Sequence, residues 1–264
     1  MKATIKSHIG KRETNQDFVA TFTNLSNQIL AILCDGMGGH NAGDIASEMA
    51  VLQLGNSWEK SEFNEQEIHS AEQWLREHIN KENKRIYDAA TVFQDLNGMG
   101  TTLVAAVIFE DSTLVANVGD SRAYVLEAST LNKVTEDHSF ANELKLNGQI
   151  TEEEALIHEK RNTLTRSLGI GSNVIIDFFY LSNTRIQNLL LCSDGLTNAV
   201  NETEIQTLLS QRITDLDKVE LLVKNALSQG ASDNITVCLI EYNSSESIDM
   251  ESTIGEGGSS DGNR

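Results

Sequence analysis

At 264 residues and 39% hydrophobic, the chain is long enough to bury a sizeable core in one large domain or two small ones. Its 39 acidic against 20 basic side chains give a net charge of −19, which excludes nucleic-acid binding driven by counterion release. No apolar run approaches the roughly 20 residues a membrane helix needs. The N-terminal stretch MKATIKSHIGKRETNQD lacks the continuous apolar segment of a secretory signal, so a soluble, cytoplasmic protein is expected.

The first strand-like run covers residues 19–22, with Asp17 just before it. A second, 29–34, is continuously apolar and leads straight into Asp35. Four of the next eight residues are glycines, and helical spacing then begins at Ile45, Met49 and Leu52. Ile68, Ala71, Leu75, Ile79 and Ile86 mark a long helix over residues 65–90. Strand-like runs follow at 101–109, 113–118 and 122–126. FEDST reads as the hairpin turn between the first two, and VGDSR as a second hairpin. Further strand runs lie at 174–179, 188–192 and 234–241. Two helices are marked by Ile205, Leu208 and Leu209, and by Leu221, Leu222 and Ala226.

Consecutive hairpins favour antiparallel pairing, and the whole reads as α+β: two antiparallel sheets packed as a β-sandwich, with helices outside. From Ser244 the chain is Ser- and Gly-rich with five acidic residues and no apolar periodicity. Residues 1–243 are therefore read as one domain and 244–264 as a disordered tail.

Five aspartates stand where strand patterns start or stop: Asp17, Asp35, Asp120 after Gly119, Asp194 after the run 189–192, and Asp233 before the run 235–240. Taken singly, Asp and Gly are ordinary turn residues. Together they place charge at the edge of a core, which is costly unless the charges are paired or metal-bound. No basic residue adjoins Asp35, Asp194 or Asp233 in sequence. Such a set suits a hard divalent cation such as Mg²⁺ or Mn²⁺. Gly36, Gly38 and Gly39 are expected to let the backbone bend and to keep space clear beside Asp35. Cys34, Cys192 and Cys238 lie inside apolar runs without CxxC spacing, as buried thiols of a reducing compartment do. Cys34 and Cys192 adjoin the aspartate positions, which raises the expectation that oxidation inhibits the protein.

The ordered motifs GKRETNQD, DGMGGHNAGDIAS, GMGTTLVAAVI, NVGDSRAY, EDHS, RNTLTRSLG, LLCSDGLTN and SDNITV resemble the metal-dependent, type 2C protein phosphatases, above all their compact bacterial members. The resemblance runs from about residue 4 to 241. It implies a helix-flanked β-sandwich holding two Mn²⁺ or Mg²⁺ ions that activate a water for direct attack on phosphoserine or phosphothreonine. By the resemblance, Asp35 bridges both ions, the Gly36 carbonyl binds the first, and Asp194 and Asp233 bind the second. Asp17 holds metal-bound water, Asp120 belongs to a third, weaker ion, and Arg12 grips the substrate phosphate. His40, after the glycine loop, is a candidate general acid, with a non-catalytic loop histidine as the alternative.

His138 in EDHS is expected to hydrogen-bond structurally. His158 lies in a segment, 139–165, that resembles the family's flap beside the active site, although a solvated helix face explains it equally well. Gln16 stands where many relatives carry Glu, so the holding of metal-bound water is expected to differ slightly; Glu159 and the IQN before LLLCSDG also depart from common family residues, without touching a proposed ligand. The implied partners are phosphorylated proteins, including a serine/threonine kinase that the enzyme opposes, and a monomer is expected. Two rival readings are an inert relative that only recognises phosphoproteins and a phosphatase acting on a transcriptional regulator.

Overall fold

A computed structural model describes residues 1–39, 42–64 and 67–242. His40 and the segment 244–264 lie outside the described residues. Two antiparallel sheets stack face to face. The first has the order β1 (Lys2–His8), β11 (Ile235–Glu241), β10 (Ile186–Cys192), β7 (Arg122–Glu127) and β8 (Thr130–Lys133). The second has the order β2 (Asp17–Thr23), β3 (Ile29–Met37), β5 (Leu103–Ile108), β6 (Ser112–Val118) and β9 (Asp177–Ser182). The short β4 (Gly100–Thr101) pairs with the end of β3. Helices α1 (Ala42–Trp58) and α2 (Ile68–Val92) cover the second sheet. The first is covered by α5 (Asp194–Thr197), α6 (Glu202–Leu209) and α7 (Asp215–Ser228), while α3 (Phe140–Leu146) and α4 (Glu152–Ile157) lie between β8 and β9 in sequence.

This layering explains the continuous apolar runs, because a central strand is buried on both faces and side chains alternate between them. On β3, Leu30, Ile32 and Cys34 face α1 and α2, whereas Ala31 and Leu33 face the other sheet. On β10, Leu190 and Cys192 face the α6–α7 layer, and Leu189 and Leu191 face inward. Three apolar layers result, the middle one between the sheets.

The structure departs from the sequence reading at several places. VGDSR is not a hairpin: β6 belongs to the second sheet and β7 to the first, so the segment carries the chain across the sandwich. Helix α1 does not bury the face marked by Ile45, which is exposed. Its inner face starts with the small residues Ala42, Gly43, Ala46, Ser47 and Ala50, which bring the helix close to β2 and β3, and continues through Val51, Leu54 and Trp58. The run 101–109 breaks at Thr102 into β4 and β5, and the run from 174 becomes strand only at Asp177. β1 and β8 escaped notice because both are edge strands, only partly buried and too short or too polar for a continuous apolar run. Among the described residues, no helix is long and apolar enough to cross a membrane.

Candidate active site

Alternation also places the carboxylates. On β3, Asp35 follows Ala31 and Leu33 on the side that faces the other sheet, and on β2 Asp17 shares a side with the inward-packed Val19. Asp17 and Asp35 are direct cross-strand partners. They lie at the open end of the middle layer, where the apolar filling stops. Asp35 does not end its strand as the sequence suggested; β3 runs on to Met37 because Gly36 and Met37 pair with Thr101 and Gly100. The Asp35 N–H donates to Thr102 Oγ1 (2.9 Å), and its carbonyl accepts from the Thr102 N–H and Thr101 Oγ1 (both 2.9 Å). The Thr102 hydroxyl in turn bonds the Ser121 hydroxyl at 2.7 Å, which joins Asp35 to the turn carrying Asp120.

Gly36 is required by packing. A Cβ there would stand 2.0 Å from the Gly43 carbonyl oxygen, at the start of α1. A Cβ on Gly39 would meet nothing within 4 Å, so packing does not require glycine at that position.

The first sheet supplies the other side of the site. β10 ends at Cys192, and Asp194 opens α5 with its Oδ2 accepting from Asn198 Nδ2 at 2.9 Å. Between them, the Ser193 hydroxyl donates to Asp17 Oδ2 (2.8 Å) and accepts from the Thr236 N–H (3.0 Å), stitching β10, β11 and β2 together. Asp233 precedes β11 and is not unpaired, as its sequence neighbours implied: Arg12 Nη2 donates to its Oδ2 at 2.7 Å. Asp120 sits in the crossing between the sheets. The turn before it is held by His138, whose Nδ1 accepts from the Gly119 N–H (3.0 Å), leaving Nε2–H to donate to Asp177 Oδ2 (3.0 Å). Arg166 Nη1 donates to the other oxygen of Asp177 (2.8 Å). His138 thus has the structural role expected of it. The Nδ1 of His158 accepts from the Lys160 N–H beyond the end of α4, and the ring stands 5.8 Å from that of Phe140.

Burial and mutual repulsion hold Asp17, Asp35, Asp120 and Asp194 away from ionisation. Asp35 is pushed well above the ordinary carboxylate range, first by burial and then by Asp17, Asp194, Asp120 and Asp233. Burial lifts Asp17 to about 6 against its bonds to Thr236 and Ser193. Asp120 rises to about 8 through burial, Asp194 and Asp137. Asp194 is raised by burial and Asp233, while a hydrogen bond from Asp35 opposes the shift. Asp17 Oδ1 and Asp194 Oδ1 are buried without a hydrogen-bond partner. Among the described residues, no three His, Cys, Asp or Glu side chains already converge as a ligand set. The carboxyls' hydrogen-bond partners include Ser193 for Asp17, Asn198 for Asp194 and Arg12 for Asp233.

An open cleft of about 900 Å³ leads from Asp120 and Asp194 past Arg122 and Asn198 to Leu156 and Ile157 of α4. Arg122 is fixed at its floor by Asp137 (2.6 Å), which Lys133 also binds (2.8 Å). Cys34 and Cys192 are fully buried and point into the outer helix layers. Burial pushes the Cys34 thiol up, and the Cys192 thiol to about 12. Such burial keeps both thiols from solvent and oxidant, which counts against the expectation drawn from their sequence positions.

Sequence reasoning assigned no role to Thr102, Ser121, Ser193, Asn198, Asn234 or Thr236. All stand inside the quoted motifs, but small polar residues there look like turn chemistry until the chain closes.

A family model described as Protein phosphatase 2C matches residues 6–229. The chain belongs to the protein phosphatase 2C family. "Serine/threonine phosphatase stp" of Listeria welshimeri is 44% identical over 246 residues, covering 92% of this chain and 96% of the relative. "Protein phosphatase PhpP" of Streptococcus pneumoniae is 38% identical over 246 residues, covering 92% and 98%. The crystal structure of serine/threonine phosphatase Stp1 from Staphylococcus aureus superposes with a TM-score of 0.88 at 41% identity, covering 92% and 95% of the two chains. The fold class and the enzyme class expected from the sequence, a protein serine/threonine phosphatase on a helix-flanked double sheet, are those of this family.

Proposed function

We propose that the chain is a metal-dependent phosphatase that hydrolyses phosphoserine and phosphothreonine in proteins, among them a serine/threonine kinase that it opposes in the cytoplasm. The observation that carries the reading is the gathering of five carboxyls, from both sheets, at one end of the middle layer. Two of them keep buried oxygens without partners. An all-oxygen donor set of this kind fits hard divalent cations. Asp35, Asp194 and Asp233, with the Gly36 carbonyl and Asp17 behind them, would hold two Mn²⁺ or Mg²⁺ ions, and Asp120 a third, weaker one. Bound there, the ions supply a water acidified toward neutral pH and countercharge for the phosphate.

The chain's own groups supply the rest. Arg12 presents a planar fork of donors that matches phosphate oxygens, and its side chain is 58% exposed even while paired with Asp233. Asn198 and Ser193 orient Asp194 and Asp17 by direct hydrogen bonds. With all three cysteines fully buried, no thiol is placed to take the phosphoryl group, which supports direct attack by water. His40 is proposed as the general acid to the leaving alkoxide from its sequence position alone.

Hydrolysis of a phosphothreonine peptide, measured with Mn²⁺, with EDTA and as Asp194→Asn, tests the reading. The expected result is activity that needs the metal and collapses in the variant. A folded protein inactive with every divalent metal would leave phosphoprotein binding as the role of the site.

A further inference from the structure

The segment 9–16, which carries Arg12, forms neither helix nor strand and is held from outside. One buried side chain does much of this. Asn234 Oδ1 accepts from the Gln16 N–H at 2.8 Å, while its Nδ2 donates to the Ile9 carbonyl at 2.9 Å and to the Thr14 carbonyl at 3.0 Å. Asn234 is 4% exposed and stands between Asp233 and β11. Its amide therefore closes both ends of the segment, with Arg12 at the crest. The segment also lies tightly on the Asp233–Asn234 backbone: Gly10 has φ +63°, and a Cβ there would stand 1.9 Å from the Asp233 carbonyl oxygen. Asp233 then holds the guanidinium itself at 2.7 Å. Only a carboxamide offers one acceptor and two donors from a single short side chain; aspartate lacks the donors, and serine lacks the reach and the number.

We infer that Asn234 is a positioning residue for Arg12, tying the phosphate-gripping segment to the strand that presents Asp233. The inference rests on the reading of Arg12 as the phosphate grip. Substrate phosphate then meets a guanidinium already aimed over the carboxylates, with no segment to order on binding.

Asn234→Asp keeps the side-chain volume and the acceptor for the Gln16 N–H but loses both donations, and Asn234→Ser removes the clamp without adding charge. In the Mn²⁺-loaded full chain, each is expected to raise KM for a phosphothreonine peptide and the inhibition constant of inorganic phosphate about tenfold, with a smaller fall in kcat. Combined with Arg12→Ala, neither adds to that variant's own increase, because the two act as one unit. Hydrogen exchange is expected to quicken at the amides of residues 9–16 and to stay unchanged along β11.

Effects that multiply in the double variants would overturn the inference, as would unchanged exchange in the segment. A calorimetric loss of Mn²⁺ affinity in Asn234→Ser large enough to explain the lost activity would also overturn it. If Arg12→Ala leaves KM and phosphate inhibition at wild-type values, it is the phosphate-grip reading that fails, and the clamp's catalytic meaning with it.

Discussion

The two ends of the middle layer are both polar, yet they are finished in opposite ways. At the end where β6 begins, Thr113 Oγ1 bonds Asn183 Oδ1 (2.8 Å) and the Tyr242 hydroxyl (2.7 Å), and Asn183 Nδ2 donates to the Phe109 and Glu110 carbonyls (2.8 and 3.1 Å). These are neutral groups with partners, and the end is closed. At the other end of the same strands, Asp17, Asp35, Asp120 and Asp194 crowd carboxyl against carboxyl, and two oxygens have no partner. A satisfied neutral network stabilises the fold, whereas like charges gathered beside a core cost folding free energy. The second arrangement is what the proposed metal site would need, since bound cations would offset the crowded carboxyls.

Replacing Asp35 by Asn breaks this contrast most sharply. The amide keeps the shape and hydrogen-bonding capacity of the carboxyl but cannot carry its charge. Activity per folded molecule should fall at least about a thousandfold, while the metal-free protein should gain roughly 1–2 kcal/mol of stability, read by urea unfolding at pH 8. A metal-free variant no more stable than wild type would mean that the carboxyls are not in conflict.

The next effect follows from protonation. A carboxyl raised in the folded state contributes stability that is fully present below its ordinary value near 4. That stability is lost as pH rises through about 6 for Asp17 and about 8 for Asp120. The metal-free wild type should therefore lose stability between pH 5.5 and 8, read by urea unfolding. The melting-temperature gain from Mn²⁺ should grow over the same range, since cations compete with protons for these oxygens. A gain independent of pH would count against cation binding at the raised carboxyls.

At the closed end, Tyr242→Phe removes one hydroxyl contact and should lower stability by about 1 kcal/mol, with activity per folded molecule unchanged. A change in KM or kcat would show that the two ends communicate. The smallest effect belongs to the cysteines. With Mn²⁺ held constant, peroxide should leave activity intact, because Cys34 and Cys192 are fully buried and protonated. Inactivation mapped to either thiol by mass spectrometry would show that the outer layers open.

Much of the molecule is legible in its sequence, and the legible part has a common cause. Strands β3, β5, β10 and β11 and helix α2 announce themselves through the burial of their own side chains, which period and composition record locally, and the five aspartates through their places where those patterns start or stop. Tertiary structure alone decided which sheet received β7, since a link of a few residues looks the same whether it turns within a sheet or crosses between two. It also decided the face of α1, where glycine, alanine and serine allow close approach that a count of large apolar residues overlooks. Above all, it decided the partners. Arg12 meets Asp233 from 221 positions away, and Asn234 reaches Ile9 from 225. Local pattern reports whether a residue is buried, but what it touches depends on how β1 and β11, the first and last strands, close beside each other.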